Sequence, residues 1–194
     1  MDRRIFPTNK EQIGANRFGL WLFLIALAIL FAAALLAMLA IRLETSDWPD
    51  DLPPLPAMLW WSTGVLLAST ATIQVAVWMQ RRQRGKTVAR LLAVGLALSI
   101  VFLVLQTLAW FDWVSSFNEA VRSREVHRMA QTGFLVLTGL HGAHIIGGLI
   151  PLALVVWYAA VRGVSTAALQ SVSIYWHFLD VVWIILVLFM VLVL

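Results

Sequence analysis

The stretch from Phe18 to Ile41 decides the fold and reads FGLWLFLIALAILFAAALLAMLAI. It contains 24 residues and no charged side chain. A helix of about 20 mostly apolar residues crosses the hydrocarbon core of a bilayer, whereas a transmembrane β-strand needs only about 10. The length of this stretch and its unbroken apolar character therefore predict a membrane-spanning α-helix.

Four more apolar runs of comparable length follow along the chain. They cover about residues 57–79, 91–110, 133–158 and 171–194. The sequence therefore predicts an all-α, polytopic membrane protein built as a bundle of five transmembrane helices. We expect residues 1–17 to form a polar cytoplasmic lead and residues 18–194 to form a single transmembrane domain. The longest connection, residues 111–132, is expected at the outer membrane surface.

The composition excludes several other classes of protein. Hydrophobic residues make up 61% of the 194 residues and charged residues only 12%, against about a quarter charged in a soluble domain. The chain has no cysteine, which rules out a disulfide framework, a thiolate metal site and a cysteine nucleophile. We expect no nucleic-acid partner, because we interpret the net charge of +4 as charge that orients the helices in the bilayer.

The distribution of lysine and arginine predicts that orientation. Four of these residues lie in the first and third loops: Arg42, Arg122, Arg124 and Arg128. The other ten lie in the N-terminal lead and in the second and fourth loops: Arg3, Arg4, Lys10, Arg17, Arg81, Arg82, Arg84, Lys86, Arg90 and Arg162. Cytoplasmic loops carry the excess of positive charge. The N-terminus is therefore predicted to be cytoplasmic and the C-terminus to lie outside.

Ionisable side chains inside the predicted spans are few, and burying them in lipid is costly. His141 and His144 lie three residues apart, as do His177 and Asp180, and residues at this spacing share a helix face. The first pair could ligate a haem or a metal ion, or could form hydrogen bonds where helices pack. The second pair could relay protons, or could pin two helices together.

We favour the structural interpretation of both pairs and predict no catalytic, cofactor-binding or metal-binding residue in this chain. Arg17 lies at the predicted cytoplasmic edge of the first span, where a basic side chain can bind anionic lipid head groups. The serine and threonine residues of the second span are expected to hold helices together. The residues expected to contact lipid or a neighbouring helix are Arg17, His141, His144, Tyr175, His177 and Asp180.

Two segments resemble motifs of the cytochrome c oxidase subunit III family. Residues 138–148, TGLHGAHIIGG, are similar to its TGxHGxHVxxG motif, and residues 175–183, YWHFLDVVW, are similar to its YWHFVDVVW motif. Weaker similarities lie at residues 59–72, 19–24 and 102–106, in the family's order along nearly the whole chain. The number of spans resembles the short, five-helix bacterial form of the family, which implies a bacterial inner membrane.

Two residues depart from the family pattern. The family has a glutamate in the first of these helices, where this chain has Leu27, and a second glutamate after the third-span glutamine, where this chain has Ala109. Both acids are missing together. The functions that the family performs through those carboxylates are therefore not implied for this chain.

The resemblance implies a subunit without redox centres of its own. Haem and copper would belong to the partner subunits I and II of a haem–copper terminal oxidase, with cytochrome c or quinol as electron donor. This chain would support assembly, proton uptake and phospholipid binding, and it would itself carry no cofactor. One alternative is an accessory membrane protein of a nitric oxide reductase. A different class of alternative is an independent small transporter, for which the intramembrane polar residues are too few.

Overall fold

Five long α-helices make up most of the described structure, a computed structural model that covers residues 9–45, 55–82, 85–120 and 125–193. Side chains are described for residues 14–45, 55–82, 85–115 and 131–192. No strand occurs within these ranges. The helices are α1 (Asn9–Glu44), α2 (Ala57–Gln80), α3 (Gly85–Ala120), α4 (Glu125–Val161) and α5 (Thr166–Val193).

Each helix contains a segment that is long and apolar enough to cross a membrane. The five segments are Gly14–Glu44, Ala57–Gln80, Gly85–Ser115, Gln131–Val161 and Thr166–Leu192. The predicted all-α fold with five spans is therefore confirmed, and the chain is a multi-pass membrane protein.

The helix boundaries differ from the predicted ones at most ends. The loop predicted at residues 111–132 is wrong, because α3 continues to Ala120 and α4 already begins at Glu125. Likewise, α1 begins at Asn9, inside the predicted polar lead, whereas residues 1–8 lie outside the described structure. A helix of 36 residues is about 54 Å long, and the hydrocarbon core is about 30 Å thick. Apolar runs therefore mark where a helix enters lipid rather than where it ends.

Four of the helices form a ring, and the first lies outside it. α2 packs against α3 and α5, and α4 packs against the same two helices. α1 contacts α5 and, less extensively, α4, and within the described ranges it contacts neither α2 nor α3. The interior of the ring is therefore built from α2 to α5, and α1 covers the joint between α4 and α5.

Two glycines allow close approach between neighbouring helices. A Cβ atom at Gly95 of α3 would lie 2.9 Å from Cγ1 of Ile73 on α2, and one at Gly148 of α4 would lie 2.5 Å from Cε1 of Tyr175 on α5. Both distances are shorter than a carbon–carbon contact allows. Glycine at these positions lets the backbones pack closely, as is common between helices in membranes.

Candidate functional site

A buried aromatic cluster surrounds His141 of α4. The imidazole of His141 stacks on the indole of Trp183, with ring centroids 4.9 Å apart and an interplanar angle of 27°. The rings of Phe102 and Phe31 form T-shaped pairs with the same imidazole, with centroids 6.4 and 6.1 Å away. Trp183 donates a hydrogen bond from Nε1 to Oγ1 of Thr63, 2.9 Å away. The cluster thus brings together side chains of all five helices.

Neither ring nitrogen of His141 has a hydrogen-bond partner among the described residues, although the residue is fully buried. The predicted hydrogen bond from His141 to a neighbouring helix is therefore not found in the part of the chain that the structure describes. The facing side chains are aromatic, and the indole N–H of Trp183 is already bound to Thr63. The spacing of the two histidines indicates a shared face but not which side chains that face meets.

His144 makes its polar contact within its own helix. Its Nδ1 donates to the carbonyl oxygen of Leu140, 2.7 Å away, and its ring lies 5.3 Å from that of Phe31. Over the described ranges, no group of three or more histidine, cysteine, aspartate or glutamate side chains could hold a metal ion. Both histidines thus make contacts typical of helix packing, and their structural role stays a prediction.

Replacing His141 with phenylalanine tests this interpretation. We expect the free energy of unfolding to change by less than about 1.5 kcal/mol, because an aromatic ring still fills the site and no hydrogen bond of His141 is lost. His141→Ala should cost about 3 kcal/mol or more, because it leaves a cavity among the three aromatic rings. Denaturation of the purified protein in detergent measures both changes. A loss of bound haem or copper in His141→Phe would instead establish a ligand role.

His177 and Asp180 point to different partners. Nε2 of His177 donates to Oε1 of Gln74 at 3.0 Å, and the hydroxyl of Ser173 donates to the same oxygen at 2.9 Å. Asp180 is buried and faces the hydroxyl of Thr70 on α2. Of the two residues, only His177 therefore forms a hydrogen bond to α2, and no hydrogen bond joins His177 to Asp180 among the described residues.

Tyr175 joins three helices. Its hydroxyl donates to the carbonyl oxygen of His144 on α4 at 2.8 Å, and its ring stacks on Phe23 of α1 with centroids 6.2 Å apart. Arg17 makes a second contact between α1 and α5, because its Nη2 donates to Oε1 of Gln170 at 2.7 Å. These two contacts hold α1 against the ring.

Hydroxyl groups hold α2 against α3, as predicted for the second span. Oγ of Ser69 lies 2.9 Å from the carbonyl oxygen of Gly95 and 2.7 Å from Oγ of Ser99. Ser62 donates to Oε1 of Gln106 at 3.3 Å.

The sequence analysis did not predict a role for Gln74, which contacts α5. Gln74 is the one amide side chain within the second apolar run, and this feature could have pointed to it.

Leu27 and Ala109, the two positions at which the resemblance implies a glutamate in the family, lie in the protein interior. Leu27 is 6% exposed and Ala109 is fully buried. Leu27 lies one turn before Phe31 on the packed face of α1, and Ala109 follows Gln106 on α3. Apolar side chains at both positions avoid placing a carboxylate in these surroundings, which would be costly without a partner.

The fold and these contacts define a class: a five-helix polytopic membrane protein whose interior polar groups connect helices. The family model of cytochrome c oxidase subunit III matches residues 8–193. The chain therefore belongs to the cytochrome c oxidase subunit III family, as its motifs predicted.

Similar proteins of this family come from several bacteria. Cytochrome c oxidase subunit 3 of Bacillus sp. (strain PS3) is 30% identical over 193 residues, covering 92% of this chain and 88% of the relative. A probable quinol oxidase subunit 3 of Staphylococcus saprophyticus is 28% identical, and the match covers 94% of this chain and 91% of that relative. A cytochrome bo(3) ubiquinol oxidase subunit 3 of Pseudomonas aeruginosa is 27% identical, and the match covers 88% of this chain and 81% of that relative. These matches support the oxidase interpretation and not the nitric oxide reductase or transporter alternatives.

Proposed function

We propose that this chain is the non-redox subunit III of a haem–copper terminal oxidase, in which electron transfer to oxygen is coupled to proton pumping. The match of residues 8–193 to the subunit III family carries this proposal. The chain supports assembly of the complex and proton uptake by the catalytic subunit. Its electron donor is cytochrome c or a quinol, because relatives named for both donors align over most of its length.

In this proposal the haem and copper belong to the catalytic subunit I and to subunit II. The arrangement of the ionisable side chains supports this division. His141 is enclosed by aromatic rings, and His144 binds its own helix backbone. Asp180 faces Thr70, and His177 binds Gln74. Each of these groups takes part in packing α4 or α5. We expect this chain to bind phospholipid.

Affinity purification through a tag on this chain tests the proposed function. We expect the purified material to consume oxygen when supplied with reduced cytochrome c or with a quinol, and to show the absorption bands of haem. Nitric oxide consumption without oxygen consumption would assign the chain to a nitric oxide reductase. Purification of the chain without any haem-containing partner would contradict both assignments.

We further propose a bacterial inner-membrane location with the N-terminus in the cytoplasm. Two contacts support a common side for the start of α1, the α2–α3 turn and the α4–α5 connection. Arg17 joins the start of α1 to the start of α5, and Gln80 at the end of α2 donates to the carbonyl oxygen of Val164, 2.8 Å away. Most of the described arginine and lysine side chains lie at this end, and the positive-inside rule makes it cytoplasmic.

Reporter fusions test this orientation. A reporter that is active only outside the cytoplasm should be active when fused after Leu194 and silent when fused at Gly85. The two fusions serve as controls for each other, because both depend on the same N-terminal helices. Activity at Gly85 with silence at Leu194 would reverse the proposed topology.

A further inference from the structure

A pocket of about 350 Å³ lies between α1, α4 and α5. Phe23, Ala143 and Gly147 line it and are exposed on membrane-spanning segments, so the pocket is accessible from the surface of the chain. Among the described residues that line it there is no lysine, arginine, aspartate or glutamate. The pocket therefore suits an uncharged, largely apolar ligand.

The polar side chains of the pocket have already used their hydrogen-bond donors. Nδ1 of His144 donates to the carbonyl oxygen of Leu140, one turn away on α4. The hydroxyl of Ser171 donates to the carbonyl oxygen of Ala167, 3.1 Å away on α5. The hydroxyl of Tyr175 donates to the carbonyl oxygen of His144 at 2.8 Å. Each of these groups thus has its hydrogen committed to a backbone carbonyl, which only accepts.

The groups that remain for a ligand are acceptors. With its hydrogen on Nδ1, the neutral imidazole of His144 has its other ring nitrogen, Nε2, as an acceptor. Nε2 has no hydrogen-bond partner among the described residues. The hydroxyl oxygens of Ser171 and Tyr175 keep lone pairs that also accept. A matching ligand must therefore bring its own donor, whereas a carbonyl or phosphate group, which only accepts, meets no free side-chain donor here.

We propose that this pocket binds the hydroxyl-bearing ring of a reduced membrane quinone, a quinol. A quinol is uncharged and has a flat apolar ring with hydroxyl donors, whereas the oxidised quinone has carbonyl oxygens in their place. The rings of Phe23 and Tyr175 border the pocket and offer aromatic surface to the ring of the ligand. The inference rests on the proposed function and deepens it, because it places one of the proposed electron donors at this chain.

Calorimetric titration of the purified full-length chain with trimethylhydroquinone, in detergent and without oxygen, tests the proposal. Trimethylbenzoquinone is the matched ligand, because it has the same ring substituents and no hydroxyl donor. We expect the quinol to bind about tenfold more tightly than the quinone, which corresponds to about 1.4 kcal/mol. Equal binding of the two would overturn the proposal. So would equally tight binding of decanol, which would show a site for aliphatic alcohols.

Substitution of two open glycines separates binding in the pocket from binding elsewhere. A Cβ atom at Gly147 or at Gly139 would meet no atom within 4 Å, so either position has room for a side chain. Gly147 lines the pocket, whereas Gly139 lies on the same helix outside it. We therefore expect Gly147→Leu to abolish quinol binding and Gly139→Leu to leave it unchanged. His144→Phe keeps a ring but removes the acceptor, and it should weaken quinol binding about tenfold.

Unchanged quinol binding in both Gly147→Leu and His144→Phe would overturn the proposal. The comparison of quinol with quinone uses the original chain, so it decides the question even if a variant fails to fold. The affinity purification described above is carried out alongside. Absence of a haem-containing partner there would contradict the proposed function whatever the binding result, whereas its presence with equal binding of quinol and quinone would contradict this inference alone.

Discussion

Trp183→Ala is expected to lower the free energy of unfolding by about 3–5 kcal/mol, the largest effect of any single substitution considered for this chain. Trp183 is buried, stacks on His141 and meets the ring of Phe102 edge-to-face at 5.3 Å. The substitution also removes the hydrogen bond that Trp183 donates to the hydroxyl oxygen of Thr63. Chemical denaturation of the purified protein in detergent measures the change.

Trp61→Ala is the matched control for this substitution. Trp61 lies on α2 with 74% of its surface exposed, so the same change in side-chain size creates no cavity. We expect the control to stay within about 0.5 kcal/mol of the original protein. Equal losses from the two variants would show that the cluster around His141 does not contribute the packing described above.

The adjacent glycines of α4 should respond in opposite directions to alanine. In Gly148→Ala the new methyl group would lie 2.5 Å from Cε1 of Tyr175, so the ring must move. That movement disrupts the hydrogen bond from Tyr175 to the carbonyl oxygen of His144 and the stack on Phe23. We expect a loss of about 1–3 kcal/mol from overpacking.

In Gly147→Ala the methyl group meets no atom within 4 Å. Alanine has a higher helix propensity than glycine by about 1 kcal/mol, so this variant should be neutral or more stable. Thermal denaturation of the two variants side by side gives the comparison. A destabilised Gly147→Ala together with an unchanged Gly148→Ala would show that the α4–α5 contact lies on another face of α4.

The number and type of the helices follow from the sequence because lipid imposes a simple requirement. Each span needs a run of apolar residues such as Phe18 to Ile41, and the backbone must satisfy its own hydrogen bonds. The ends of the helices do not follow from this requirement. Residues 111–120 are less apolar than the run before them, yet they continue α3, because a helix also satisfies its backbone outside the hydrocarbon core.

The contact partners of the intramembrane polar residues could not be predicted from the sequence. Spacing placed His177 and Asp180 on one face, but the contacts depend on the rotation of α5 against α2, which brings Gln74 to the first residue and Thr70 to the second. The same limit applies to His141, whose neighbours are aromatic. The motifs fixed the family, which the comparison confirmed over residues 8–193.

The central claim is that this chain is a subunit of a terminal oxidase and holds no redox centre itself. Native mass spectrometry of the complex purified through this chain, with stepwise dissociation, tests it most directly. We predict an intact mass that contains this chain together with larger partners carrying haem and copper, and release of this chain without haem or copper on dissociation. A released chain that retains haem or copper, or a preparation containing only this chain and lipid, would contradict the account.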